Sequence, residues 1–416
     1  MKRIVKYCGK EVVVKMIVAL NSERHTINLF EVKTTEELLR LKQNGPYFCP
    51  ICKKQVRLKI GTKKVTHFAH IDLTECENGK KESIEHRKGK FALYQFFKKF
   101  NLKVEVEKFI PELNQRPDLF IKLNTIQMCV EYQCSVIPLE IMKKRTNSFK
   151  HSGMKVLWIL NDKLLNQKRW SSFYINSLSI YSFVKINVFS LLFYNPTLQS
   201  FTVLSSLIAF SPVQYVGQKN VFPINNFSLK EFSLQNKIDK NVFVSKWNRL
   251  KKDFRLYQHL HTKGNLKVFK HYLYNANINY FPAVIGVPLE SNCIIKEHCI
   301  FWQGDIYFNF FHEAEIGQLI FIDKINQSVK IEVQNGKWRV NQFQNNEIVN
   351  LEKCVEKYID FLVKIRILKR IKNGKIMKIA NAIIPSSFQQ ALDEDRLSAN
   401  TAFDLLFNAR TDSNDY

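Results

Sequence analysis

Arg116-Pro117-Asp118 and Glu131-Tyr132-Gln133 bracket a stretch whose alternation allows little besides a β-hairpin. Leu119, Ile121 and Leu123 are followed, across Asn124-Thr125, by Ile126, Met128, Val130 and Tyr132, so apolar residues recur at every second position as strands require. A two-residue turn at Asn124-Thr125 pairs Leu123 with Ile126 and, counting back, Asp118 with Glu131. Asn-Thr signals a tight reversal more weakly than Asn-Gly, so the period of two is what supports the hairpin. On this register Asp118, Glu131 and Gln133 share the face opposite the apolar one.

Carboxylates facing each other across a hairpin lie about 4.5–5.5 Å apart at Cβ and repel, so a fold needs a reason to keep them there. A bound Mg²⁺ or Mn²⁺ supplies one. Mg²⁺ takes carboxylate oxygens at about 2.0–2.1 Å, polarises a phosphoryl oxygen and acidifies an attacking water. Asp118 and Glu131 are therefore expected as metal ligands in phosphodiester cleavage. The bland alternative is a solvated hairpin face with two incidental acids.

The chain has 416 residues, more than one ordinary domain holds, and its 45% hydrophobic content is ample for several cores. Lys and Arg outnumber Asp and Glu by 63 to 37, a formal charge of +26, which points to a polyanionic partner such as DNA. A compositional bias toward Lys, Asn, Ile and Phe explains the same numbers without any partner. The richest apolar region, Leu191 to Phe210, is broken by Asn195, Gln199 and several Ser, so no membrane span is expected. Glu11 and Lys15 interrupt Val12-Val13-Val14, leaving no leader-like apolar run, and the expected location is cytoplasmic. Nine scattered cysteines then read as reduced thiols.

Cys49-Pro50-Ile51-Cys52 and His67-Phe68-Ala69-His70 have the residue types of a structural zinc site. The Cys half is ordinary for a knuckle. The His half is not, because positions i and i+3 of a strand point to opposite faces; both rings reach one ion only from a helical turn, and Cys76 is the alternative ligand. Lys53, Lys54, Arg57, Lys59, Lys63 and Lys64 would give this module a basic face. Glu82-Ser83-Ile84-Glu85-His86 opens an amphipathic helix reaching about to Phe100, with Ala92, Phe96 and Phe100 as its apolar stripe. Glu85 begins on that stripe, either as a third metal contact or as a charge that complements the helix dipole. Strands at Val104–Glu107 and Val156–Leu160, and a helix from Pro138 to Phe149, complete a three-layer α/β/α unit.

In this order and spacing, Cys49-x2-Cys52, His67-Phe68-Ala69-His70, Glu82-Ser83-x-Glu85-His86-x3-Lys90, Arg116-Pro117-Asp118, Glu131-x-Gln133-x-Ser135, Arg145-Thr146 and Val156-x-Trp158-Ile159-Leu160 together resemble the competence protein CoiA family. Phe281-Pro282, Gly286-x-Pro288 and Trp302-Gln303 are weaker echoes of its C-terminal region. The resemblance implies a divergent PD-(D/E)XK nuclease-like domain, preceded by a cysteine/histidine module, that acts on incoming DNA in the bacterial cytoplasm. It makes Asp118 the Asp of the PD motif, Glu131 the metal-binding acid and Glu85 the acid of the first helix. Gln133 stands where the wider superfamily has Lys, and Phe149 where a Tyr is expected. Glu85, Asp118, Glu131 and Gln133 are thus the expected catalytic set, with Lys90, Arg116 and Arg145 contacting DNA phosphates. A neutral Gln133 still hydrogen-bonds water but brings no charge.

Past Trp170 the signals thin. Arg249, Lys251, Lys252 and Arg255 form either a DNA face or a solvated helix side. A helix from Leu351, then Ile367–Ile371 and Ile376–Ile379 around Asn373-Gly374, makes a winged-helix-like segment at 351–380 or an ordinary basic hairpin. No phosphate-binding Gly loop occurs, which argues against an ATPase. The sequence therefore predicts a multidomain α/β chain. Its parts are an N-terminal zinc-ribbon-like β module (1–78), a central α/β/α restriction-endonuclease-like PD-(D/E)XK core (79–170) and a C-terminal mixed α+β region (171–416). The expected function is a Mg²⁺-dependent nuclease with a structural Zn²⁺, whose partners are DNA and a recombinase or other competence protein. A DNA-binding recombination accessory protein with a degenerate nuclease fold is the alternative, and a Lys-rich scaffold the third reading.

Overall fold

The computed structural model describes residues 16–61, 66–71, 82–168, 172–185, 189–228, 238–258, 264–344 and 350–407. Val12-Val13-Val14, Lys63, Lys64 and Cys76 lie outside them. The chain forms two compact units. The first takes the described residues up to Leu164 and then Leu192–Thr202 and Val221–Phe227; the second takes the rest.

The first unit opens with an antiparallel sheet of five short strands: β1 (Val18–Leu20), β2 (Thr26–Asn28), β3 (Tyr47–Phe48), β4 (Gln55–Lys59) and β5 (His67–His70). Their order is β2-β1-β3-β4-β5. Helix α1 (Thr35–Gln43) connects β2 to β3, and its first turn is closed by the Thr34 hydroxyl accepting from the Glu37 N–H. β4 alternates cleanly, with Val56 and Leu58 buried and Gln55, Arg57 and Lys59 exposed.

Next come α2 (Ile84–Lys98), β6 (Lys103–Val106), β7 (Leu119–Leu123), β8 (Ile126–Gln133), α3 (Leu139–His151) and β9 (Lys155–Asn161). The strands lie in the order β6-β7-β8-β9, antiparallel as far as β8, while β9 runs parallel to β8. The returning segment adds a strand beyond β9, with Phe193 parallel to Leu160. Within the hairpin Leu119 faces Val130 and Leu123 faces Ile126, the register expected from a turn at Asn124-Thr125, and Asn124 takes φ 51° to make it.

Successive residues of β8 meet different helices. Glu131 reaches Arg145 of α3, whereas the Tyr132 ring lies against Gly89 of α2, so the sheet is sandwiched between them. This corrects the one-sided alternation expected of the hairpin. Phe120 and Cys129 are as buried as Leu119 and Val130, and exposure begins only near the tip, at Leu123 and Ile126. The stripe of α2 also differs from the expected one. Gly89, Leu93, Phe96 and Phe97 are buried while Phe100 is exposed.

In the second unit, helices Lys240–Tyr257 and Phe388–Phe407 pack around an ion cluster, and Trp247, Trp302, Trp338 and Tyr358 are buried. Further on, the chain runs helix (Cys299–Tyr307), strand (Leu319–Phe321), helix (Ile322–Gln334), helix (Leu351–Lys364) and two strands, Leu368–Ile371 and Lys375–Lys378. The last strand lies between the other two. Asn373 and Gly374 both take positive φ, 60° and 66°, the tight turn that their sequence signals. Among the described residues no helix is long and apolar enough to cross a membrane.

Candidate functional site

The hairpin, the start of α2 and the knuckle between β3 and β4 all face one cavity of about 650 Å³. Glu82, Glu85, His86, Lys90, Glu107, Arg116, Asp118, Glu131, Gln133 and Arg145 line it. The Ser83 hydroxyl accepts from the His86 N–H and starts α2, so Glu82, His86 and Lys90, four residues apart, project from one side of the helix. Gly89 lets that helix approach. A Cβ there would come within 2.0 Å of the Tyr132 ring, so only glycine allows α2 to lie this close to β8. The imidazole of His86 stacks on the same ring, with centroids 5.7 Å apart.

Asp118 lies one residue before the β7 ladder and is oriented by hydrogen bonds. Its Oδ2 accepts from the Tyr132 N–H at 2.9 Å and lies 3.0 Å from His86 Nε2. The other ring nitrogen, Nδ1, is 2.7 Å from Glu82 Oε1, so His86 sits between two carboxylates. Burial disfavours its charged form, but Asp118 and Glu82 outweigh burial and raise its pKa to about 10. Burial likewise works against ionising Asp118 and is outweighed by His86, Lys90 and the Tyr132 amide, which hold it well below the usual carboxylate range. Glu82 follows the same pattern and falls to about 2.

Lys90 is almost wholly buried. Its Nζ bonds to Glu107 Oε1, lies 2.5 Å from Glu82 Oε1 and 3.7 Å from Asp118 Oδ1. A lysine held by three acids is spoken for, and the expectation that it contacts phosphate gains no support from its surroundings. Arg116 pairs with Glu107 at 3.1 Å. Arg145 donates to Glu131 Oε1 at 2.5 Å and to the Arg116 carbonyl at 3.2 Å. Burial, only partly offset by Arg145, pushes Glu131 up to about 7.

The sequence-expected residues thus meet in one cavity with partners that sequence did not reveal. The donors that come closest together are Glu82, His86 and Asp118, whose ligand atoms all lie within 4.8 Å of one another. Glu131 and Glu85 stand outside that set; Glu85 Oε2 bonds to Lys163 Nζ at 2.6 Å. Glu82 and His86 were missed as site residues although Glu82-x3-His86-x3-Lys90 places them on one helix side. Gln133 spends its amide nitrogen on the Ser135 carbonyl at 2.6 Å.

The knuckle gathers Cys49, Cys52 and His70, again within 4.8 Å, with Cys52 Sγ 3.2 Å from His70 Nε2. The Ile51 N–H points at Cys49 Sγ from 3.4 Å, and Lys53 turns the chain with φ 58°. Burial, aided by Lys54, lowers the pKa of His70 and so favours the neutral ring that a metal needs. His67 does not join them. It lies three residues before His70 in a strand, hence on the other face, so the expected Cys49, Cys52, His67, His70 quartet reduces to three of its members.

A sheet clasped between two helices, with acids delivered to a cavity at the hairpin's end, is a nuclease-like architecture, and residues 82–237 match the family model described as the nuclease-like domain of competence protein CoiA. Residues 30–79 and 243–392 match the N-terminal and C-terminal domains of the same family. Together these matches span most of the chain, which belongs to the competence protein CoiA family. It is also similar to competence protein CoiA of Bacillus subtilis (strain 168), 26% identical over 374 residues, which are 88% of this chain and 99% of that one.

Proposed function

We propose that this protein is a competence nuclease that processes incoming DNA in the cytoplasm, working with a recombinase or another competence protein. Its cavity would hold a divalent cation, Mg²⁺ or Mn²⁺, through Asp118 with Glu82 and His86, and with Glu131 as the second hairpin acid. The observation that carries this reading is the convergence of Glu82, His86 and Asp118 on a solvent-connected cavity that also exposes Arg116 and Arg145. The two carboxylates fit a hard cation, and His86, held protonated between them, would give up a proton to join as the third donor. When bound, the cation would polarise a phosphoryl oxygen and acidify a water. The protein's own part is positional. The Tyr132 amide and Gly89 packing fix Asp118 and His86, and the two guanidiniums, five donors each, keep N–H groups for phosphate beyond those spent on Glu107 and Glu131.

The test is cleavage of single- and double-stranded DNA with Mg²⁺ or Mn²⁺ by the full chain and by Asp118→Ala. Cleavage by the former alone supports the proposal, and equal cleavage by both removes Asp118 as a ligand. A second reading, a DNA-binding accessory protein that no longer cuts, is favoured by Gln133 and by Lys90, whose charge is held by Glu82, Glu107 and Asp118. It predicts salt-sensitive DNA binding with no cleavage under either metal.

The knuckle is proposed as a structural zinc site in a zinc-ribbon-like module, held by Cys49, Cys52 and His70. Elemental analysis should find about one zinc per chain, lost in Cys49→Ser/Cys52→Ser. In the second unit, the helix-strand-helix-helix-strand-strand order from Cys299 to Lys378 supports a winged-helix-like reading. Its last helix is a poor reader of DNA. Glu352, Glu356 and Asp360 line its outer side, and Arg370 of the hairpin binds the last two at 2.6 Å. Removing Lys369 and Lys375 should therefore leave DNA affinity nearly unchanged.

A further inference from the structure

The cavity also carries apolar side chains in its lining that phosphate chemistry does not use. Beside the charged groups it is lined by Met16, Ile51, Phe109, Ile137 and Ile141, none of which belongs to the hairpin or to α2. Four of these five side chains are not consumed by the core: Ile51, Phe109 and Ile137 are half-buried and Ile141 is exposed. Two come from the N-terminal module. Ile51 is the tip of the knuckle between Cys49 and Cys52, and Met16 is tied to β5 by paired backbone hydrogen bonds with Phe68, at 3.2 and 2.9 Å. His70, a knuckle donor, lines the same cavity. A hydrated cation and a phosphate have no use for such a lining, whereas a nucleobase does, because base faces pack on apolar and aromatic side chains for about 1–3 kcal/mol each. Size agrees. About 650 Å³ falls among pockets of about 300–1,000 Å³ that enclose one drug-sized ligand, the scale of a nucleotide rather than of a duplex.

We infer that this cavity receives an unpaired nucleotide of a single DNA strand, and that its base packs against the Cys49–Cys52–His70 knuckle through Ile51, together with Phe109, Ile137 and Ile141. The inference rests on the nucleic-acid reading above and adds the substrate form and a role for the N-terminal module. Ion binding at the knuckle would then act on the substrate by fixing Ile51. Duplex DNA hides its base faces in the stack and cannot use this lining.

The experiment is fluorescence anisotropy of a labelled single-stranded oligonucleotide and its duplex, titrated in Ca²⁺ with the full chain, Ile51→Asp, Ile51→Val and Phe109→Ala. Ile51→Asp should weaken single-strand binding about tenfold, which is about 1.4 kcal/mol, and Phe109→Ala similarly, while Ile51→Val stays within about twofold. Duplex affinity, thermal midpoint and zinc content should not move in any variant. Single-strand affinity retained by both Ile51→Asp and Phe109→Ala, or a loss shared equally by the duplex, overturns the inference and leaves the nuclease reading standing. Failure of the unaltered protein to bind either DNA overturns both. Should Ile51→Asp not fold, Phe109→Ala and Ile51→Ala decide on the same criteria.

Discussion

Both units bury a cluster of opposite charges, and the two clusters are built differently. In the second unit Asp395 receives Lys251 at 2.8 Å and Arg255 at 2.8 Å, while the carbonyls of Ala283 and Phe281 take further donors from the same two cations. The Arg255 guanidinium also lies 3.7 Å from the Phe281 ring centroid. That cluster is closed, and it ties helix Lys240–Tyr257 to helix Phe388–Phe407. In the first unit Glu82, Glu107 and Asp118 meet His86, Lys90 and Arg116, but the group opens on a cavity and three of its donors lie within 4.8 Å of one another, the spacing a bound cation would need. Buried charge is therefore no mark of function by itself. Solvent access and converging donor atoms separate a site from a staple.

The sharpest way to test this contrast is to remove the central acid of the closed cluster. Asp395→Ala leaves Lys251 and Arg255 buried without a counter-charge, and urea unfolding should show a loss of about 3–5 kcal/mol. A loss below about 1 kcal/mol would mean that the cluster is not a staple. A smaller effect is expected from Gly89→Ala, which drives a methyl group into the Tyr132 ring. Unfolding should show a loss of about 1–3 kcal/mol, together with weaker binding of Mn²⁺, because a displaced α2 moves His86, and Glu82 just before it, away from Asp118. Unchanged Mn²⁺ affinity would place the ion elsewhere.

The smallest effect concerns His298 of the second unit, whose Nδ1 accepts from the Ile300 N–H at 3.2 Å among the rings of Phe210, Phe254 and Phe301. Burial lowers its pKa to about 3. The unfolded chain thus takes up the proton first as pH falls. Stability from this group is present above the ordinary histidine value of 6.5 and is lost between there and about 3. At pH 5.5 the loss should be about 1.4 kcal/mol relative to pH 7.5, and His298→Gln should flatten it. A profile unchanged by that substitution would assign the loss to other groups.

Local order was legible from sequence wherever neighbouring residues decide it. The hairpin register, the turn at Asn373-Gly374 and the helices near Pro138 and Leu351 follow from period, turn chemistry and capping. What escaped depends on distant partners. Nothing near Leu192 announces that the chain will return and pair Phe193 beside β9. The family's nuclease-like match, which continues to residue 237, fits that return. At the site, Asp118 and Glu131 were found by counting along one hairpin, whereas Glu82 and His86 join Asp118 only because Gly89 admits α2. Lys251 and Arg255 looked like a solvated or DNA-facing patch because their partner, Asp395, is far along the chain.

Asp118 is the proposed anchor of a divalent cation used on DNA. Incubating labelled single- and double-stranded DNA with the full chain and with Asp118→Asn, each in Mg²⁺, in Mn²⁺ and in EDTA, tests that role most directly. Metal-dependent cleavage should fall at least about a hundredfold in Asp118→Asn, some 2.7 kcal/mol of barrier, while that variant still binds DNA. Cleavage that persists in EDTA, or that Asp118→Asn performs as well as the unaltered chain, would contradict that role.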